Sequence, residues 1–211
     1  VLYHAHFLGV RGGFIGVEVF FVVSGFLITT LLVNEHRSRD SISIRDFYAR
    51  RARRLLPASA IVIALTALAS RMWLEPLRLK SIGTDALASG GFIANVVFAN
   101  RNTDYLQAGV PPSPLQHFWS LSVEEQFYVI WPTLLLLLLW RSRGRVTRAV
   151  AGISVISIAS LVVCITQTGS SQPWAFFGLH ARAWELGAGA LLALAWPFVD
   201  QLPRFSRAVI G

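Results

Sequence analysis

Two adjacent carboxylates, Glu124 and Glu125, stand in "FWSLSVEEQFYVIWP" at the head of an apolar run that ends in Leu134 to Leu139. A carboxylate in such surroundings can hold a proton, fix the tautomer of a histidine or pair with a cation. Groups with related chemistry occur early in the chain: Glu18 in "FIGVEVFF", and His4 and His6 in "YHAHF". A histidine can act near neutral pH as a general base toward a hydroxyl, or briefly as an acyl acceptor. The opposite charge is concentrated in "RDFYARRARRLLP", with Arg45, Arg50, Arg51, Arg53 and Arg54, and in "RSRGRVTR", with Arg141, Arg143, Arg145 and Arg148. Guanidinium groups suit phosphates and carboxylates, which they hold by paired, charge-assisted hydrogen bonds.

Spacing narrows these options. Neighbours on a helix point about 100° apart, so Glu124 and Glu125 cannot aim at one place. Ser120, Glu124, Phe127 and Tyr128 share a helix face, which favours Glu124 as the acting group and Glu125 as its support. His4 and His6 point to opposite sides of a helix, whereas a helical metal pair needs i and i+4 spacing, so no metal site is expected. Cys164 is the only cysteine and lies in an apolar block. It offers neither a disulfide framework nor a thiolate cluster.

The elements that carry these residues are set by composition. The chain is 54% hydrophobic and 14% charged, and its apolar residues form blocks around 14 to 33, 55 to 74, 121 to 140, 149 to 167 and 183 to 199. Each is close to the roughly 20 residues needed to cross a bilayer. Lipid cannot satisfy backbone groups, and period-2 alternation is absent, so the expected fold is an all-α polytopic transmembrane helical bundle. About six spans are expected, the first ending within residues 1 to 7. The chain opens at Val1 inside an apolar run with no signal-like leader, which reads as a fragment lacking the front of its first helix.

A net charge of +8 and a pI near 11 would suit nucleic acid, but the positive residues lie between apolar blocks. That is the positive-inside pattern of a membrane protein, and no basic, aromatic-studded soluble module is present. The rule places loops 34 to 54 and 141 to 148 in the cytoplasm and requires an even number of crossings between them. Three candidates compete for two places. The weakest, "GTDALASGGFIANVVFAN", contains Asp85, Asn95, Asn100 and the pair Gly90 and Gly91. Residues 83 to 100 are therefore expected to be re-entrant or interfacial. On this topology Glu18, Glu124, Glu125, His4 and His6 gather in the outer half of the membrane. Each would cost about 2.5–3.5 kcal/mol there, so they are expected to face a cavity or one another.

The order "YHAHF", "GGFIGVEVFFVVSGFLIT", "FYARRARRLLPA", "HFWSLSVEEQFYVIWP" and "ARAWELGAGALLAL" resembles the acyltransferase 3 family of multipass bacterial membrane acyltransferases. The resemblance runs along nearly the whole chain and covers the N-terminal part of the family's longer domain. A family Arg upstream of the position of His4 falls before Val1. By motif, the resemblance implies catalytic roles for His4, Glu18 and Glu124, with Glu18 standing where Asp is commoner. It assigns the basic element to Arg51, Arg53 and Arg54, and leaves Ser120, Glu125 and Tyr128 as substrate-side or supporting residues. It further implies transfer of an acyl group, usually acetyl from acetyl-CoA, to a hydroxyl of a glycan such as lipopolysaccharide O-antigen, peptidoglycan or exopolysaccharide.

On that reading cytosolic acyl-CoA is a co-substrate whose phosphates meet the arginines on the inner side, while the groups for chemistry lie in the outer half. No permanently bound cofactor and no nucleic-acid partner are expected, and the location is the bacterial inner membrane. Arg182 and Glu185 read as a local ion pair, and Gly187 and Gly189 as packing glycines. Two other classes stay open from sequence. In a proton-coupled transporter or flippase the same carboxylates would relay protons; a scaffold or sensor leaves the charged band unexplained. Consumption of acyl-CoA with formation of an ester separates the enzyme from both.

Overall fold

The computed structural model describes residues 15–39, 42–101, 103, 112–141 and 146–199. Among these the chain is α-helical without strands, in the order α1 (Ile15–Arg39), α2 (Ile44–Trp73), α3 (Pro76–Gly90), α4 (Ala94–Asn100), α5 (Phe118–Arg141), α6 (Val146–Ser170), α7 (Gln172–Phe177) and α8 (Leu179–Val199). By length and composition, four helices can cross a membrane: Ile15–Ser38, Ile44–Trp73, Phe118–Leu139 and Val146–Ser170. The expected block at 183 to 199 is helical within α8 but is not one of these four. The expected first helix lies outside the described residues. Helix α2 leaves Ile61, Leu65, Leu68 and Met72 exposed along one stripe. Such a stripe is a liability in water and an asset against lipid. This is a multi-pass membrane protein.

Two helix starts differ from expectation, and both matter for the site. Ser43 caps α2: its hydroxyl accepts from the Asp46 N–H at 3.4 Å and donates to Asp46 Oδ2 at 2.8 Å. That reciprocal arrangement starts the helix well before the apolar block, so Arg45 to Arg54 lie on α2 and not in a loop. Helix α5 likewise begins at Phe118, following turns in which the Phe118 N–H reaches the Leu115 carbonyl at 3.0 Å. Glu124 and Glu125 are its seventh and eighth residues, about 9–11 Å along the axis from Phe118.

The chain divides into two compact units. One comprises Ile42–Thr133 and Ala159–Ala183. Within it, Glu75 and Pro76 end the turn after α2 and start α3, Pro filling a first-turn position where no N–H is needed. Helix α3 closes on Gly91 with Phe92 in the left-handed region at φ 53°. The Ile93 N–H reaches the Ala88 carbonyl at 2.9 Å and the Phe92 N–H the Ser89 carbonyl at 3.2 Å. These are the paired bonds of a Schellman stop. Beyond it the chain reverses, because Arg101 Nη1 lies 2.5 Å from Asp85 Oδ1. Sixteen residues of straight helix would hold them about 24 Å apart. Residues 83 to 100 thus form a folded-back pair of helices, in agreement with the expectation that they do not make one straight crossing.

Aromatic packing fills the interior of this unit. Trp119 lies 4.7 Å from Phe176 and 5.5 Å from Phe177 between ring centroids, and Phe98 lies 5.9 Å from Phe177. Ser160 Oγ donates to the His180 carbonyl at 2.7 Å, tying α6 to the first turn of α8.

The other unit comprises Val1–Ser41, Leu134–Ile158 and Trp184–Gly211. Its helices α1 and α8 meet through glycine. A Cβ on Gly25 would collide with the Leu186 carbonyl, and one on Gly189 with the Val22 carbonyl. A Cβ on Gly187 would strike the Ser157 side chain. Both expected packing glycines therefore permit close approach of helices. Replacing Gly189 by Ala forces the α1 and α8 backbones apart, and overpacking of this kind costs about 1–3 kcal/mol. Thermal unfolding in detergent should show a melting temperature lower by roughly 3–10 °C.

Candidate functional site

The first unit gathers much of the chemistry expected from sequence. Side chains on a helix lean toward its N-terminus, so Tyr128 reaches back one turn on α5 and donates its hydroxyl to Glu124 Oε1. Both residues are buried. The shared face of Glu124 and Tyr128 thus exists as a hydrogen bond. Ser120, also on that face, spends its hydroxyl on the His117 carbonyl at 3.3 Å.

Arg51 completes the cluster from α2. Its Nη2 donates to Glu125 Oε1 at 2.5 Å, and its guanidinium carbon lies 3.7 Å from the centre of the Tyr128 ring. One cation therefore faces one carboxylate and one aromatic ring, and that ring carries the hydroxyl bound to the other carboxylate. Side-chain exposures of 24% for Arg51 and 15% for Glu125 leave little water to screen the pair. The Arg51 Nε is buried and has no hydrogen-bond partner among the described residues. A buried donor left open in this way suits an incoming oxygen.

This arrangement corrects the expected separation of an inner arginine clamp from outer carboxylates. Arg51 and Glu125 are in contact, and the order of contacts is antiparallel: Tyr48 on α2 reaches residues 128 and 129, and Arg51 reaches residue 125. The estimate of depth failed because it counted from hydropathy blocks, whereas α2 and α5 start earlier and cross one another. The three arginines also part company. On a helix Arg51 and Arg53 point about 200° apart. Arg53 is exposed and its Nε donates to the Ala49 carbonyl of its own helix at 3.2 Å, while Arg54 is exposed as well.

A neighbouring amide pair holds α5 in place, and sequence reasoning passed over it. Gln126 Nε2 donates to Asn95 Oδ1 at 2.8 Å and to the Phe92 carbonyl at 2.9 Å. Asn95 Nδ2 returns a bond to Gln126 Oε1 at 3.2 Å and donates to the Phe177 carbonyl at 3.1 Å. Three donated bonds thus join the residue after Glu125 to the tip of the folded-back helices, and a fourth joins Asn95 to α7. The signal was present as Asn95 and Gln126, two amides in apolar segments, each of which needs partners when buried.

Of the other residues singled out from sequence, Glu18 is half-buried in the first turn of α1 and belongs to the other unit. His4 and His6 lie outside the described residues. Arg182 Nε donates to the Phe176 carbonyl at 3.0 Å and its guanidinium lies 5.0 Å from the Phe176 ring, so it secures the turn between α7 and α8.

Comparison with known proteins gives the family. Over its full length the chain is 36% identical to the peptidoglycan O-acetyltransferase OatA of Listeria monocytogenes, covering 34% of that protein. It is 34% identical to the O-acetyltransferase OatA of Staphylococcus aureus over 93% of the chain and 32% of the relative. The chain thus spans about a third of the length of these relatives. No solved structure matches it. The family described as acyltransferase domain matches residues 1–211 throughout, and the chain belongs to it.

Proposed function

We propose that this chain is the membrane-embedded part of an O-acetyltransferase that moves an acetyl group from cytosolic acetyl-CoA to a hydroxyl of an extracytoplasmic glycan. Peptidoglycan is the favoured acceptor, since a relative at 36% identity is named for that activity. The observation that carries the reading is the cluster of Arg51, Glu125, Tyr128 and Glu124, which joins a cation with an open donor to a buried carboxylate.

In the proposed reaction His4 removes the proton of the acceptor hydroxyl, whose oxygen attacks the thioester carbon. The carbon–sulfur bond breaks, and the coenzyme thiolate takes the proton. A carboxylate can supply negative charge for a group that becomes cationic as it accepts a proton, which is the role given to Glu124; Glu18 keeps the catalytic role that its family motif implies. Arg53 and Arg54, exposed on α2, meet the phosphates of the donor, and Arg51 places its free N–H on a donor oxygen. The protein resides in the bacterial inner membrane with the Arg-rich start of α2 toward the cytoplasm.

Analysis of glycan esters in a deletion strain tests the function. The full-length gene should restore O-acetyl esters and the His4→Ala gene should not, at equal protein level. Transport of an unmodified substrate with no ester formed would contradict the reading. For the donor site, Arg53→Ala with Arg54→Ala should raise the KM for acetyl-CoA about tenfold, as loss of one or two charge-assisted bonds would. Steady-state kinetics in membranes measure this, and an unchanged KM would reduce both residues to topology signals.

A further inference from the structure

We infer that Tyr48 is a positioning residue for acyl transfer: its hydroxyl holds the α5 backbone at the turn that Pro132 leaves short of a donor, and so sets Tyr128 against Glu124. The inference rests on the reading of the Arg51, Glu125, Tyr128 and Glu124 cluster as the transfer site.

Pro132 lies inside α5. A proline has no N–H, so the carbonyl four residues earlier, that of Tyr128, loses its helical partner, and the ring crowds the same turn. Such a carbonyl needs a donor from elsewhere when water is absent. Tyr48 supplies one. Its hydroxyl donates to the Val129 carbonyl at 2.7 Å and lies 3.4 Å from the Tyr128 carbonyl. The short branch holds the carbonyl of Val129, and the longer one reaches Tyr128, the residue whose side chain hydrogen-bonds Glu124 and supports the Arg51 guanidinium.

Tyr48 is one helical turn before Arg51, so both act from the same face of α2 on the same stretch of α5. Arg51 fixes the side-chain layer, through Glu125 and the Tyr128 ring. Tyr48 fixes the backbone beneath it. A bifurcated bond at a proline is also a point where α5 can yield, and the hydroxyl limits that freedom where a small shift of Tyr128 would move the Glu124 carboxylate.

The test uses the full-length protein in membranes. Tyr48→Phe removes the hydroxyl alone; its turnover should fall about tenfold while the KM for acetyl-CoA stays at the wild-type value and the melting temperature falls by only a few degrees. Tyr48→Phe combined with Tyr128→Phe should be no slower than Tyr128→Phe alone, because the two act through one point. Pro132→Ala returns an N–H to the Tyr128 carbonyl and should bring Tyr48→Phe back to within about twofold of wild type. Wild-type turnover in Tyr48→Phe, losses that multiply in the double variant, or an inactive Pro132→Ala single variant would each overturn the inference. Glu124→Gln, measured alongside, reports on the site itself: if it keeps full activity the underlying reading fails, whatever Tyr48 does.

Discussion

Glu124→Gln is expected to reduce acyl transfer by about 10²–10³-fold while leaving the protein in the membrane at its normal level. The amide keeps the size of the side chain, and its oxygen still accepts the Tyr128 hydroxyl, so packing and the hydrogen bond survive. The negative charge does not. If the carboxylate stabilises a group that gains a proton during transfer, the loss falls in the range typical of general acid–base catalysis. Glu125→Gln is the internal comparison. Its charge is already matched by Arg51, so its removal should cost about tenfold or less in rate. Tyr128→Phe should fall between the two, since it frees the Glu124 carboxylate to turn without discharging it. Kinetics with all three variants, normalised to protein level, decide the order; equal losses for Glu124→Gln and Glu125→Gln would contradict the separate roles.

The second large effect concerns Arg51. Arg51→Ala leaves the Glu125 carboxylate without the cation that faces it and uncovers the Tyr128 ring. Breaking a fully buried pair by removing one partner costs about 3–5 kcal/mol, and the partial exposure here lowers this to roughly 1–3 kcal/mol. Activity should drop about 100-fold, because Tyr128 and Glu125 are released together. Arg51→Lys separates the contributions: it keeps the charge but lacks the planar fork that stacks on Tyr128 while pairing with Glu125. It should recover most of the stability and little of the rate. The exchanged pair, Arg51→Glu with Glu125→Arg, should likewise regain stability without activity. Thermal unfolding and transfer rate measured on the same preparations are sufficient, and full activity in the exchanged pair would show that the two charges serve only to join α2 to α5.

Much of the fold was legible because lipid enforces simple rules. Long apolar blocks had to be helices, and Gly90 and Gly91 among polar residues marked a break, where α3 stops and the chain turns back. The i and i+4 relation of Glu124 and Tyr128 needed only helical geometry, and the glycines of "ELGAGA" needed only the small-residue rule for close helices. What failed was the assignment of depth. Hydropathy cuts a helix where charges begin, but arginine is a good helix former, and the cap at Ser43 carries α2 through all five arginines of its first turns. The meeting of Arg51 with Glu125 depends on how α2 crosses α5, which no local spacing encodes. Tyr48 was hidden for the same reason: its partners are backbone carbonyls 80 and 81 residues away on another helix, and only the first of them, that of Tyr128, is deprived of its helical donor by Pro132.

The most direct test of the central claim follows the acetyl group itself. Membranes containing the full-length protein are supplied with acetyl-CoA labelled in the acetyl carbon and with a glycan acceptor, and the label in glycan esters is counted over time. The account predicts label in alkali-labile esters for the wild-type protein and loss of at least 99% of that rate for Glu124→Gln at equal protein level. Label arriving at the wild-type rate in Glu124→Gln, or esters forming with no label from acetyl-CoA, would contradict it.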